Sequence, residues 1–127
     1  MTKKKILLID DEEDLCKLMK LNLERAGEYE VTTASSGEEG VEKAKAEEFD
    51  LVITDFRMPG MNGRAVLQAM KALKPDRPVV LFSIYHDDET RITREIEAQA
   101  DGIISKPIDH EQLYKTIKDA LARSGSK

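Results

Sequence analysis

Reactive polar residues fall where four apolar runs of the chain stop: Asp10 and Asp11 after Ile6–Ile9, Asp55 after Leu51–Thr54, Ser83 after Val79–Phe82, and Lys106 beyond Ile103–Ile104. Carboxylates, a hydroxyl and an ammonium form a set able to hold a cation and handle phosphate. Crowded carboxylates repel one another, so one of them is driven to hold a proton unless a cation lies between them. The donors are oxygens, with no thiolate or histidine pair among them, and that selects a hard ion such as Mg²⁺ over zinc or copper. Mg²⁺ accepts one or two protein carboxylates together with waters and phosphate oxygens, which implies phosphate chemistry. An aspartate beside such an ion can attack a phosphoryl group to form an acyl phosphate, while a lysine and a hydroxyl stabilise the developing charge. Asp55 is the best nucleophile, because it ends the run Leu51-Val52-Ile53-Thr54 and leads to the tight loop Met58-Pro59-Gly60-Met61-Asn62-Gly63. Asp10 and Asp11 would hold the metal.

For residues so far apart in sequence to meet, the elements between them must form a convergent scaffold. The runs Ile6–Ile9, Val31–Ala34, Leu51–Thr54, Val79–Phe82 and Ile103–Ile104 are short, β-rich and bounded by polar or turn residues, which predicts five buried strands. Helical spacing fills the intervals: Leu15, Leu18, Met19 and Leu23; Val41, Ala44 and Ala46; Ala65, Val66, Ala69, Met70 and Leu73; Ile92, Ile96 and Ala98; and Leu113, Ile117, Ala120 and Leu121. Ser36 or Gly37 before Glu38 and Glu39, and Asp109 before Glu111 and Gln112, are helix start signals. Strict alternation of apolar strands and helices predicts a doubly wound α/β domain, a parallel sheet covered on both faces. In such sheets the C-terminal strand ends converge on a ligand crevice, and all five polar residues lie there.

The 127 residues suit one domain, and 40% apolar with 35% charged residues describes a globular chain that needs no disulfide or structural metal to fold. A net charge of −5 gives the chain no electrostatic footprint for nucleic acid or anionic lipid, and the Lys3-Lys4-Lys5 run reads as a solvated flank. Cys16 is the single cysteine, a structural thiol compatible with a reducing compartment. No signal-peptide or membrane-spanning pattern is present, so a cytoplasmic location is expected. Residues 1–123 form the expected domain and 124–127 a loose tail. Elsewhere the blander account holds: His86 with Asp87, Asp88 and Glu89 is an acidic helix start, His110 lies on the surface, and the five methionines fill gaps in the core.

Taken together, Ile9-Asp10-Asp11-Glu12, Asp55-Phe56-Arg57-Met58-Pro59-Gly60-Met61-Asn62-Gly63, Ser83 and Lys106-Pro107 resemble the receiver-domain family of two-component response regulators, in both order and spacing over nearly the whole chain. The resemblance implies a flavodoxin-like sheet in the order 2-1-3-4-5 with five helices. It implies that Asp55 receives phosphate from a histidine kinase or a histidine phosphotransfer protein. It further implies that Asp11 and the backbone carbonyl of Arg57 bind Mg²⁺ directly, with Asp10 acting through water. Lys106 would contact a phosphoryl oxygen, Ser83 would hydrogen-bond the phosphoryl group and move with it, and Lys106–Pro107 would be a site for a cis peptide. The only chemistry would be phosphorylation and dephosphorylation of the chain itself. The signal would pass through the last two helices to a downstream protein or a tethered output domain, with a dimer through those helices possible. Tyr114, Arg91, Arg94 and Lys118 are candidates for that surface.

The sequence departs from the family where the switch is transmitted. Ile103 stands where an aromatic commonly lies three positions before the strand-five lysine, and Ile84 follows Ser83 where a small residue is usual. Transmission by displacement of loops and helices without a moving ring is therefore expected. Arg57 and Tyr85 occupy positions resembling those that flank the acyl phosphate, and so bulky a pair predicts slow self-dephosphorylation. Rival functions differ in what they require. A phosphohydrolase of the common aspartyl type would need an acid where Arg57 stands, and a flavin site would need a hydroxyl- and glycine-rich loop where Asp10-Asp11-Glu12-Glu13-Asp14 would repel phosphate. A phosphorylation-independent scaffold makes no such demand.

Overall fold

A computed structural model describes residues 3–25, 27–56, 60–84, 99–106 and 109–125, with the backbone alone at 83, 84, 105, 106, 124 and 125. Five strands alternate with helices: β1 (Lys4–Ile9), α1 (Glu13–Arg25), β2 (Tyr29–Ala34), α2 (Gly37–Ala46), β3 (Leu51–Asp55), α3 (Gly63–Leu73), β4 (Val79–Ile84), β5 (Gly102–Lys106) and α4 (His110–Gly125). All pairings are parallel and the order is β2-β1-β3-β4-β5, as the resemblance implied. The helix expected around Ile92, Ile96 and Ala98 lies outside the described residues, so four of the five expected helices can be compared. Helix α4 continues to Gly125, and its last turn includes the first two residues of the segment expected as a tail.

The strands alternate their side chains between two cores. Ile6, Leu8, Leu51, Ile53, Val80, Phe82 and Ile104 face one side, covered by Cys16, Met19 and Leu23 of α1 and Leu113, Ile117 and Ala120 of α4. Leu7, Ile9, Val52, Val79 and Leu81 face the other, with Val66, Leu67 and Met70 of α3 and partly buried Val41 and Ala44 of α2. This is the doubly wound arrangement. Two helices differ in phase from the spacing read in sequence. On α1 the buried stripe runs through Cys16, Met19 and Leu23, so Leu18, about 100° round the helix from Met19, is left 52% exposed. On α3 Leu67 is fully buried while Leu73 at the end of the helix is exposed, and Ala46 at the end of α2 is exposed as well. Helix starts follow their caps: the Ser36 hydroxyl accepts from Glu39 N–H at 3.1 Å, Asn62 Oδ1 from Ala65 N–H at 3.0 Å, and Asp109 Oδ1 from Glu111 N–H at 3.0 Å.

Strand β2 is an edge of the sheet, and side chains occupy its outward backbone groups. Glu24 accepts the Val31 N–H at 2.9 Å, Lys20 Nζ donates to the Val31 carbonyl at 2.6 Å, and Lys43 Nζ donates to the Thr33 carbonyl at 2.6 Å. An occupied edge offers little to a strand from another molecule. At the opposite, N-terminal edge, Asp101 accepts from Lys71 Nζ at 2.7 Å and from Val79 N–H at 2.8 Å, while Arg123 donates to its carbonyl. One residue thus ties α3, β4 and α4 together. Nearby, Arg77 is 4% exposed; its Nη2 donates to the Met70 sulfur at 3.6 Å, and its Nε has no hydrogen-bond partner among the described residues. Burial pushes the guanidinium pKa down, with the charge of Glu48 opposing that shift.

Two stability predictions follow from these contacts. The Val31 N–H, and to a lesser degree Lys20, hold the Glu24 carboxyl below the usual carboxylate range, against the opposing effect of partial burial. A depressed folded-state pKa contributes stability that is full above the unfolded carboxylate value and is lost as pH falls through the folded value. Glu24→Gln is therefore less stable than wild type near neutrality, and the gap closes on acidification, as urea unfolding at several pH values measures. Arg77→Met replaces an incompletely bonded buried cation with an apolar chain of similar length and raises stability by on the order of 1–2 kcal/mol in the same assay.

Candidate functional site

The sheet register places the site residues. Ile9 lies level with Thr54, so Asp10 and Asp55 follow at neighbouring strand ends, and Asp55 is level with Phe82. Ser83 pairs with Ser105 and Ile84 with Lys106 in the β4–β5 ladder, which puts the backbones of Ser83 and Lys106 at the same C-terminal edge. Strands β3, β4 and β5 run further than their apolar runs suggested, so Asp55 and Lys106 are the last residues of their strands and Ser83 is the last but one of β4. Their backbones are thereby held in the ladder, where a loop residue would have more freedom.

Carboxylate oxygens of Asp10, Asp11 and Asp55 lie within 4.8 Å of one another. Asp10 is fully buried and Asp55 5% exposed, whereas Asp11 is exposed at the mouth. Asp10 is fixed from several directions: its N–H donates to the Ala34 carbonyl at 3.1 Å, its Oδ1 accepts Glu12 N–H at 2.9 Å, and its carbonyl accepts the Cys16 thiol at 3.4 Å. Cys16, expected as a structural thiol, is buried behind the acid pair and serves to hold it. The Asp10 side-chain bond to Glu12 N–H turns the chain from β1 into α1 and leaves Asp11 facing outward.

Asp55 is held through its backbone and the loop after it. The Thr54 hydroxyl donates to the Asp55 carbonyl at 3.1 Å, and Phe56 N–H donates to the Phe82 carbonyl at 2.8 Å. Gly63 N–H closes the loop by donating to the Phe56 carbonyl at 2.8 Å. Only glycine fits there, since a Cβ on Gly63 would stand 2.4 Å from Phe56 Cα and 2.7 Å from the Asp55 carbonyl. The sequence marked Gly63 as part of a tight loop but did not disclose this contact, which depends on how α3 approaches the end of β3.

The three acids present hard oxygen donors from one buried, one nearly buried and one exposed carboxylate, a set that suits a small divalent cation. Like charges at this spacing repel, and burial of two of the three residues strengthens the repulsion, so a cation among them is favourable. Beside Asp10, on the β2 side, a cleft of about 300 Å³ is lined by Lys17, Ser35, Glu39 and Lys43. The Ser35 backbone and hydroxyl, with Lys43, hold the Glu39 carboxyl below the usual range. Sequence reasoning did not find this cleft. Arg57, Tyr85 and Pro107 lie outside the described residues, as do His86, Asp87, Asp88, Glu89, Arg91 and Arg94. Tyr114 lies half-buried at the edge of the core stripe, its hydroxyl donating to the Asn22 carbonyl at 2.9 Å; His110 is exposed, as expected.

A doubly wound parallel sheet in the order β2-β1-β3-β4-β5 puts the chain in the flavodoxin-like class of α/β proteins, here with an acidic crevice at the C-terminal edge of the sheet. Within that class, residues 6–118 match the response regulator receiver domain family, and the chain belongs to it. It is 36% identical over 121 residues to the alkaline phosphatase synthesis transcriptional regulatory protein PhoP of Bacillus subtilis, covering 95% of this chain and 50% of the relative. It is 37% identical over 122 residues to the transcriptional regulatory protein GlrR of Escherichia coli, covering 94% of this chain and 26% of the relative. The chain thus spans half or less of the length of these two relatives. Among solved structures, a CheY-like receiver protein from Methanospirillum hungatei superposes with a TM-score of 0.88 at 30% identity and 98% coverage of both chains. TrrA of Thermotoga maritima, solved in complex with Mg²⁺ and BeF, superposes with a TM-score of 0.82 at 32% identity, covering 92% of this chain and 98% of that one. The two-component family that the strand-end motifs resemble, and the strand order which that resemblance implied, are both borne out.

The Gly63 contact gives a prediction about the site. Gly63→Ala forces the loop off the end of β3 and costs about 1–3 kcal/mol by overpacking. Thermal unfolding measures the loss, and amide shifts in a nitrogen–proton NMR spectrum centre on Asp55 and Phe56.

Proposed function

We propose that this receiver domain is a Mg²⁺-dependent aspartate switch in which Asp55 accepts a phosphoryl group from a histidine kinase or a histidine phosphotransfer protein. The observation that carries the proposal is the meeting of Asp10, Asp11 and Asp55 oxygens within 4.8 Å at the C-terminal edge of the sheet. Asp11, Asp55 and the Arg57 backbone carbonyl would hold the ion, with Asp10 acting through water. When bound, Mg²⁺ would neutralise the crowded carboxylates and withdraw charge from the phosphoryl oxygens. A carboxylate oxygen of Asp55 attacks phosphorus, forming an O–P bond as the N–P bond of the donor phosphohistidine breaks and the imidazole leaves. Asp10, fixed through its N–H, carbonyl and Oδ1, keeps the acid pair in place throughout. Lys106 offsets charge on a phosphoryl oxygen, and Ser83 donates a hydrogen bond to the group once it is attached.

The family resemblance, and the Mg²⁺ and BeF bound by TrrA, support this reading. The chain's chemistry is confined to its own phosphorylation and dephosphorylation, the latter slowed by Arg57 and Tyr85. The output passes through α4 and the helix expected around Ile92, Ile96 and Ala98 to a downstream protein or tethered output domain, and dimerisation through the same pair belongs to this proposal. Ile103, half-buried against the second core, is an aliphatic where a moving ring would be, so the response proceeds by displacement of loops and helices. We place the protein in the cytoplasm, without direct contact to nucleic acid or membrane; no helix among the described residues is long and apolar enough to cross a membrane.

Intact mass after incubation with acetyl phosphate and Mg²⁺ tests this directly. Wild type gains one phosphoryl group, while Asp55→Asn and a metal-free control gain none. A wild-type chain that stays unmodified under conditions that trap slow acyl phosphates overturns the proposal in favour of a constitutive binding module.

A further inference from the structure

The N-terminal edge of the sheet, opposite the acid cluster, carries a groove of about 550 Å³ between the start of β1, the α1–β2 turn and the end of α4. Its apolar lining is Tyr29, 4% exposed, with Leu121 and Ala122 of α4. Burial pushes the Tyr29 phenol pKa up, so it stays neutral at ordinary pH. Three lysines line the same groove: Lys3 and Lys4 from the start of the chain and Lys118 from α4. All three are exposed, and none forms an ion pair among the described residues, as is also true of Lys17 and Lys115; what sets them apart is that the three line one groove. Glu28 is the single acid of the lining, so the local balance is positive on a chain whose net charge is −5.

Helix dipoles do not account for the three lysines. Arg25 and Arg123 already occupy the last turns of α1 and α4, the two helices that end beside the groove. Gly27, with φ +81° and open space around its missing Cβ, turns the chain from α1 into β2 and keeps one wall low. The groove therefore combines a neutral apolar floor with cations that form no ion pair among the described residues, Lys3 feeling only the more distant charge of Glu24. We infer that this groove is a docking site for an acidic peptide segment of a partner protein, its carboxylates paired with Lys3, Lys4 and Lys118 and an apolar side chain lodged over Tyr29 and Leu121. The concave floor suits one or two side chains; a membrane surface would demand a flatter and more strongly basic face. A polynucleotide would demand a longer basic track than three lysines beside Glu28. The site lies at the sheet edge away from Asp55, so docking there is separable from phosphoryl transfer.

The test uses the full chain labelled with nitrogen-15 and a short amidated peptide with glutamate and aspartate flanking a central Leu-Phe pair. Saturable amide shifts are expected at Gly27, Tyr29, Lys118 and Leu121. The double variant Lys4→Glu, Lys118→Glu is expected to bind about tenfold more weakly. Ala122→Glu is expected to weaken binding by intruding a charge on the floor, and phosphorylation by acetyl phosphate is expected to be unchanged in both variants. Shifts that map elsewhere, or equal binding by the double variant, overturn the inference. So does tighter binding to anionic phosphatidylserine vesicles or to a single-stranded oligonucleotide than to the peptide.

Discussion

Mutual repulsion of three carboxylates is the constraint on which the rest of the architecture depends. Left to themselves, Asp10, Asp11 and Asp55 would separate into water; the fold holds their oxygens within 4.8 Å and buries two of the three residues. What prevents separation is the ladder beneath them. Strands β1 and β3 are hydrogen-bonded neighbours in register from Ile6 with Leu51 to Ile9 with Thr54, so their next residues emerge side by side. The order of the sheet matters more than the chemistry of any one acid, because β1 and β3 are adjacent only when β2 lies outside them. The bonds fixing Asp10 and the Gly63 closure behind Asp55 then remove the remaining backbone freedom.

That ladder is stable because both faces of the sheet are covered and its β2 edge is occupied. The cores are inequivalent: α1 and α4 cover one face with large aliphatic side chains, while the other receives α2 through very close backbone approaches. A Cβ at Gly40 would lie 2.3 Å from Ile9 Cδ1, so α2 rests directly upon the strand that presents Asp10. At the β2 edge, the side chains of Lys20, Glu24 and Lys43 replace the neighbouring strand that the backbone lacks. The same residues that make the helices polar outside thus complete the hydrogen bonding of the sheet, at the cost of side-chain freedom in lysines and a glutamate.

The strand-helix alternation and the strand-end acids were legible in the sequence because they arise from local pattern and from a convergence rule that holds for every parallel α/β sheet. Three things were not legible, for distinct reasons. The order of the strands leaves no trace in periodicity and came from family resemblance. The phase of α1 was ambiguous, since Leu18 and Leu21 are as apolar as the residues that turn inward, and Cys16 took the inner position that Leu18 was expected to fill. Gly63 closes a loop back onto Asp55 and Phe56 and Asp101 joins segments distant in sequence, and neither glycine nor aspartate announces such partners by its type.

The two edges of the sheet therefore play different physical roles. At the N-terminal edge, Asp101 draws α3, β4 and α4 onto a common point through Lys71, Val79 and Arg123, and Tyr114 fastens α4 to the Asn22 carbonyl of α1. Those ties join elements that pack on both faces, so the lower half of the domain resists relative movement of its helices. At the C-terminal edge the ends of β1 and β3 bring the oxygens of Asp10, Asp11 and Asp55 within 4.8 Å of one another, each presented from the end of its own strand. Under the proposed switch, a change of charge at Asp55 would alter the balance of repulsion among these acids, and the braced opposite edge would supply the fixed reference against which a displacement is read.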